Sequence, residues 1–127
     1  MVEEQSNGQI VINQPAGHLE RDETLIEAVR RETLEETGWR FQPQAITGIH
    51  HWTSPADGKT FLRVCFCGTV NGHDAGRPLD DGIIRARWMT REELSQAPLR
   101  SPMVLRGIDD YRQGQRFPLS LLALINS

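Results

Sequence analysis

The stretch GHLERDETLIEAVRRETLEETGW, residues 17 to 39, carries a single pattern: Gly17, then Glu23, then Arg31-Glu32, Glu35-Glu36 and Gly38. Seven fixed positions whose residue types each occur at roughly 5–9% coincide by chance about once in 10⁸ starting points. No other part of the chain is as informative. If the segment is helical, it sets three carboxylates within about one turn.

Residues Thr24 to Thr37 are predicted to be that helix. Thr24 with Glu27 three residues on reads as a capping box, and the stretch up to Thr37 contains no Gly or Pro. Gly38 is placed to take the left-handed conformation that closes a helix. At 100° per residue Leu25, Ala28 and Val29 lie on one stripe, and Glu32, Glu35 and Glu36 continue it toward the C-terminus. A helix that needed only a core would place Leu or Val there. Acid in the last turn faces the negative end of the helix dipole, at a few tenths of a kcal/mol each. The Glu32–Glu36 pair adds roughly 0.2–0.5 kcal/mol of repulsion. A bound divalent cation would offset these costs. The competing reading is a solvated acidic face with Glu27–Arg31 and Arg31–Glu35 as ordinary i,i+4 pairs. The stripe and the flanking glycines weigh against it.

These residues resemble the nudix box, G-x5-E-x7-R-E-U-x-E-E-x-G-U with U apolar. Every charged and glycine position matches. Thr33 departs from the usual aliphatic residue, and Trp39 fills the second apolar position. The segments NQPAGHLE (13–20), HHW (50–52), RARWMTREEL (85–94), LRSP (99–102) and GQRFP (114–118) further resemble the bacterial NudJ phosphatase subgroup of that superfamily.

The superfamily resemblance implies hydrolysis of a nucleoside diphosphate linked to another moiety, or of a related organic pyrophosphate, with Mg²⁺ or Mn²⁺ as cofactor. Carried over by position, Glu32, Glu35 and Glu36 would be metal ligands joined by the Gly17 carbonyl. Glu23 and Arg31 would tie loop to helix by an ion pair. The subgroup resemblance implies phosphate release from nucleoside tri- and diphosphates, and from thiamine pyrophosphate or its pyrimidine pyrophosphate precursor.

The chemistry suits the residues. A pyrophosphate repels a nucleophile by its own charge, and a hard cation held by carboxylate oxygens neutralises part of it. Zinc spacing is absent, since Cys65 and Cys67 form a lone C-x-C that the four histidines do not bracket. The general base is open between Glu35, Glu36 and an acid outside the box. Asp80 and Asp81 are the outside candidates, although PLDDG is also strong turn chemistry. For substrate contacts, Trp52 and Phe61 offer aromatic faces, with hairpin packing as the equal alternative. Arg63, His18 and Arg100 are the polar candidates, and at most one of His50 and His51 faces the pocket because they alternate on a strand.

Composition sets the frame. A chain of 127 residues is expected to form one nudix hydrolase domain. Its net charge of −3 provides no footprint for nucleic acid, which removes support for a reading as an RNA 5′-pyrophosphohydrolase. A non-catalytic nudix-fold nucleotide-binding module is the remaining alternative, though it would be expected to lack box glutamates. There is no apolar run of membrane-spanning length and no signal-peptide pattern, so a small-molecule pyrophosphate partner and a cytoplasmic setting are expected. Strands are expected at Gln9–Ile12, Ala45–Trp52, Thr60–Val70 and Ile83–Met89. Short helices are expected at Arg91–Gln96, Ser101–Gln113 and Leu119–Ile125. Such a mixture reads as α+β, and the resemblance narrows it to an α/β/α sandwich around a mixed sheet. Relative to the family pattern the usual first strand lacks a counterpart. A monomer, or self-association through the edge so exposed, is therefore expected.

Overall fold

The computed structural model describes residues 1–125. Strands β1 (Val2–Ser6) and β2 (Gln9–Asn13) form a hairpin about Asn7-Gly8, both at positive φ (51° and 79°). A two-residue turn of this hand needs Asn and Gly because its twist matches that of the flanking strands. Strand β1 is an addition to the sequence expectation. Helix α1 (Leu25–Thr37) follows, then strands β3 (Arg40–Thr53) and β4 (Thr60–Asn71). These two pair antiparallel from Arg40 with Asn71 to Thr53 with Thr60. β3 begins earlier than its apolar core suggested, because Pro43 lies where the register shifts and a missing N–H is tolerated.

Strand β5 (Ile83–Ala86), helix α2 (Arg91–Ser95) and helix α3 (Met103–Arg112) complete the regular structure, with one 3₁₀ turn at Leu119–Leu121. That turn replaces the helix expected to run to Ile125, the chain turning extended at Leu122. Two sheets result, ordered β2-β1-β5 and β3-β4. Their pairings are antiparallel, and the parallel component is the bridge from Ile12 to Leu99. Helix α1 packs on β3 and β5 while α3 packs on β3, giving the α/β/α sandwich.

Val2, Ile46, Leu94 and Val104 are the fully buried anchors. A cleft of about 1160 Å³ opens between the two sheets, lined by Val11 and Asn13 on one side and Val64 and Phe66 on the other. Among the described residues β4 pairs only with β3, so its other edge faces this cleft unpaired.

Candidate active site

Both ends of α1 are fixed by its sequence. Thr24 Oγ1 accepts from the Glu27 N–H at 3.0 Å while Glu27 Oε1 accepts from the Thr24 N–H at 2.9 Å. Gly38 takes φ 77°, and its N–H donates to the Leu34 carbonyl at 2.9 Å. The buried face runs through Ala28, Thr33, Glu36 and Thr37, so of the three box acids it takes in Glu36, while Glu32 and Glu35 are half-buried. Thr33 is satisfied there because its hydroxyl donates to the Val29 carbonyl at 2.7 Å.

Arg31 organises the acidic end. Its Nε and Nη2 donate to the two oxygens of Glu23 at 2.7 and 3.0 Å. Its Nη1 reaches Glu32 at 2.6 Å and Glu35 at 3.4 Å, and Nη2 also donates to the His18 carbonyl at 3.0 Å. A planar fork with five donors can do this, and a point charge cannot. The Glu23 pair joins the Gly17–Asp22 loop to the helix, and with these contacts the Arg31 pKa is raised. Glu27 is used by the cap rather than by Arg31.

Glu32, Glu35 and Asp80 bring one carboxylate oxygen each within 4.8 Å of one another. The loop after β4 delivers Asp80, whose N–H donates to the Glu35 carbonyl at 3.1 Å. Burial and then the Asp80 charge hold the Glu35 carboxyl above the ordinary range. Asp81, also a sequence candidate, is exposed and outside the group. Glu36 is 5% exposed and turned toward the Ala16 N–H at 3.4 Å, so it stands beside the trio rather than in it. Burial, reinforced by Glu32, pushes Glu36 up to about 9. Gly17 backs directly onto this group: a Cβ there would overlap the Glu32 carboxyl. Converging oxygens that repel one another, cradled where only glycine fits, suit a hard divalent cation.

The opposite wall comes from β3, β4 and the segment before α3. Trp52 and Phe61 are cross-strand partners with ring centroids 5.8 Å apart and planes 26° from parallel. They pack on each other while lining the cleft. Arg63 Nη1 donates to Gln14 Oε1 at 3.2 Å, and Arg100 Nη1 donates to Glu4 Oε1 at 2.8 Å. The His18 side chain is exposed at the rim. Asn13, Gln14 and Glu4 are polar cleft residues that the motif reading missed. Their signal lay in the period of two, which puts Val2, Glu4 and Ser6 on one strand face.

A second buried constellation is structural. His50 Nε2 lies 2.8 Å from Asp110 Oδ2, and Cys65 Sγ lies 3.7 Å from His50 Nδ1. Burial raises the Cys65 thiol pKa, which is the condition of an inert cysteine. His51, on the other strand face, is exposed.

A sequence model of the NUDIX domain matches residues 3–106. The chain is 46% identical over 127 residues to the phosphatase NudJ of Escherichia coli K12, spanning 99% of this chain and 82% of that protein. The NudJ phosphatase of Shigella flexneri shows the same identity and coverage. Among solved structures, a NUDIX hydrolase from Nitrosomonas europaea superposes with a TM-score of 0.94 at 46% identity, covering 98% of this chain and 86% of that one. A MutT protein from Methanosarcina mazei Go1 superposes at 0.66 and 24% identity, over 91% and 83%, and shares the fold.

Proposed function

The chain belongs to the NUDIX family and is a nudix pyrophosphohydrolase or phosphatase, and on that premise we propose that it releases phosphate from organic pyrophosphates with Mg²⁺ as cofactor. The observation that carries this reading is the convergence of Glu32, Glu35 and Asp80 against Gly17. Nudix hydrolases generally use divalent metals, and these oxygen donors are of the type that Mg²⁺ takes, with Mn²⁺ as a substitute. When bound, such an ion neutralises charge on the substrate's phosphate oxygens.

The remaining roles belong to the chain's own residues. Glu32 and Glu35, with Glu36 next to them and the Gly17 carbonyl nearby, are assigned to holding the cation, and Asp80 joins them. Glu23 and Arg31 keep loop and helix in register so that these donors stay together. The base that takes a proton from water is one of Glu35, Glu36 and Asp80, since each is a carboxylate of the cluster or its rim. Trp52 and Phe61 offer an apolar shelf for the ring of a nucleobase or of a thiamine-type leaving group. Arg63 and Arg100 supply positive charge for the phosphates, and His18 stands at the rim as a further polar contact. The substrates proposed are nucleoside di- and triphosphates, thiamine pyrophosphate and its pyrimidine pyrophosphate precursor. The full chain acts as one domain and works in the cytoplasm. Among the described residues no helix is long and apolar enough to cross a membrane.

The test is phosphate release from ADP, ATP and thiamine pyrophosphate with and without Mg²⁺. Wild type is expected to turn over at least one of them, and Glu35→Gln to cut that rate at least ~10²-fold. Metal-independent turnover, or a Glu35→Gln variant as fast as wild type, refutes the reading. Light scattering decides between a monomer and self-association through an exposed sheet edge: a concentration-dependent mass supports association, and a constant monomer mass excludes it.

A further inference from the structure

Two guanidinium groups face the cleft, each held through a single nitrogen. Arg63 is tied to Gln14, whose own Nε2 donates to the Val104 carbonyl at 3.4 Å. Arg100 is fixed twice. Its backbone N–H donates to the Ile12 carbonyl at 2.9 Å, and its Nη1 donates to Glu4 at 2.8 Å. Among the described residues the other guanidinium N–H groups of both arginines have no hydrogen-bond partner. The two reach the cleft from adjoining anchors, since Asn13, which donates to the Glu4 that holds Arg100, directly precedes the Gln14 that holds Arg63. Two guanidinium groups lining one cleft with donors to spare can offer an anion charge-assisted hydrogen bonds.

The orienting acid is Glu4, on the cleft-facing side of β1. Its side chain is only 13% exposed, and the same oxygen that meets Arg100 accepts from Asn13 Nδ2 at 3.1 Å. This carboxylate, anchored by a neighbour on the paired strand, stands outside the Glu32–Glu35–Asp80 group, although its charge reaches Glu36. Its contact with Arg100 serves to aim that side chain.

We propose that Glu4 is a positioning residue which, braced by Asn13, orients Arg100 beside Arg63 so that the two arginines grip a phosphate of the substrate. The inference rests on the hydrolase reading above but concerns substrate binding rather than the cation. Glu4 touches no substrate atom. Its main effect passes through Arg100, its direct ion-pair partner at 2.8 Å, so it falls on KM more than on kcat.

The experiment compares wild type, Glu4→Gln, Arg100→Met and the double variant. Steady-state kinetics use ADP with Mg²⁺, and calorimetry measures binding of inorganic phosphate without metal. Glu4→Gln keeps the shape and an acceptor for Asn13 but removes the charge. Its KM is expected to rise ~5-fold or more with kcat changed by less than ~3-fold, and phosphate binding to weaken in parallel. The double variant should be no worse than Arg100→Met alone, because both changes act on one interaction. Glu4→Asp should restore part of the affinity. Additive effects, an unchanged KM in Glu4→Gln, or a loss of kcat that tracks a lower melting temperature would overturn the proposal. Failure of wild type to hydrolyse any pyrophosphate refutes the hydrolase reading instead, and the calorimetry still decides the role of Glu4.

Discussion

Replacing Gly17 by Ala separates the site from the fold. The backbone tolerates the change, since Gly17 is not among the positive-φ glycines. Restricting the unfolded chain then gains about 0.4–1 kcal/mol. Against this stands the overlap of the new methyl group with the Glu32 carboxyl. Carbon contacts settle at about 3.5–4.0 Å, so Glu32 has to retreat by roughly 1 Å or more. That motion loosens its 2.6 Å pair with Arg31. The pair is partly solvated, which holds the cost to about 1 kcal/mol or less. The two terms nearly cancel, and the melting temperature should stay within about 4 °C of wild type. Activity should not survive as well: a 1 Å misplacement of a positioned group can cost about 10²-fold. Phosphate release with Mg²⁺, run beside a thermal melt, checks both halves. A Gly17→Ala enzyme with near wild-type turnover would refute the reasoning, and so would one whose activity falls only because it unfolds.

Three further outcomes are expected. Asp80→Asn should raise the Mg²⁺ concentration for half-maximal rate by ~10-fold or more, whereas Asp81→Asn should shift it less than ~2-fold, read from a metal titration of the rate. Arg31→Lys keeps the charge but cannot serve Glu23, Glu32 and the His18 carbonyl together, so stability should fall by about 1–2 kcal/mol in urea melts and the rate with it. The third concerns Asp110. Burial alone would raise its pKa, but hydrogen bonds from His50 and Arg106 outweigh that and hold the carboxyl low. Its contribution to stability is therefore complete above the unfolded value of about 3.9 and lost as pH falls through the lower folded value. Asp110→Asn should accordingly be less stable than wild type near neutrality, with the gap closing toward pH ~3. A gap independent of pH, in urea melts across that range, would count against it.

Local rules made α1 legible almost to the residue. The Thr24–Glu27 box, the uninterrupted helix formers and Gly38 at φ 77° all act within a few positions of one another. The Thr90–Glu93 box fixed the start of α2 in the same way. Strand β1 was missed although Asn7-Gly8 is a hairpin turn signal, because VEEQS has almost no apolar residue to mark a strand. β5 ends at Ala86 rather than Met89, since only its first residues find a partner in β1. At the site, the box acids could be named from spacing. Their grouping could not: Asp80 joins Glu32 and Glu35 through a loop closure that leaves no periodic trace, while Glu36 turns toward Ala16. Glu4 with Arg100, and His50 with Asp110, are contacts across 96 and 60 positions, which only the folded topology supplies.

The absence of a side chain at Gly48 has a mechanical result. A Cβ there would stand 2.9 Å from Asp110 Oδ2 and 3.0 Å from His50 Nε2, so the bare backbone leaves room for that buried contact. The contact rivets α3 to the long hairpin, between Gly48 and the Trp52–Phe61 pair along β3. Trp52 lies two residues along β3 from His50, so the aromatic pair is anchored close to the point where α3 is held. Helix α3 and the hairpin both line the cleft, so that hidden fastener braces two parts of its wall against each other.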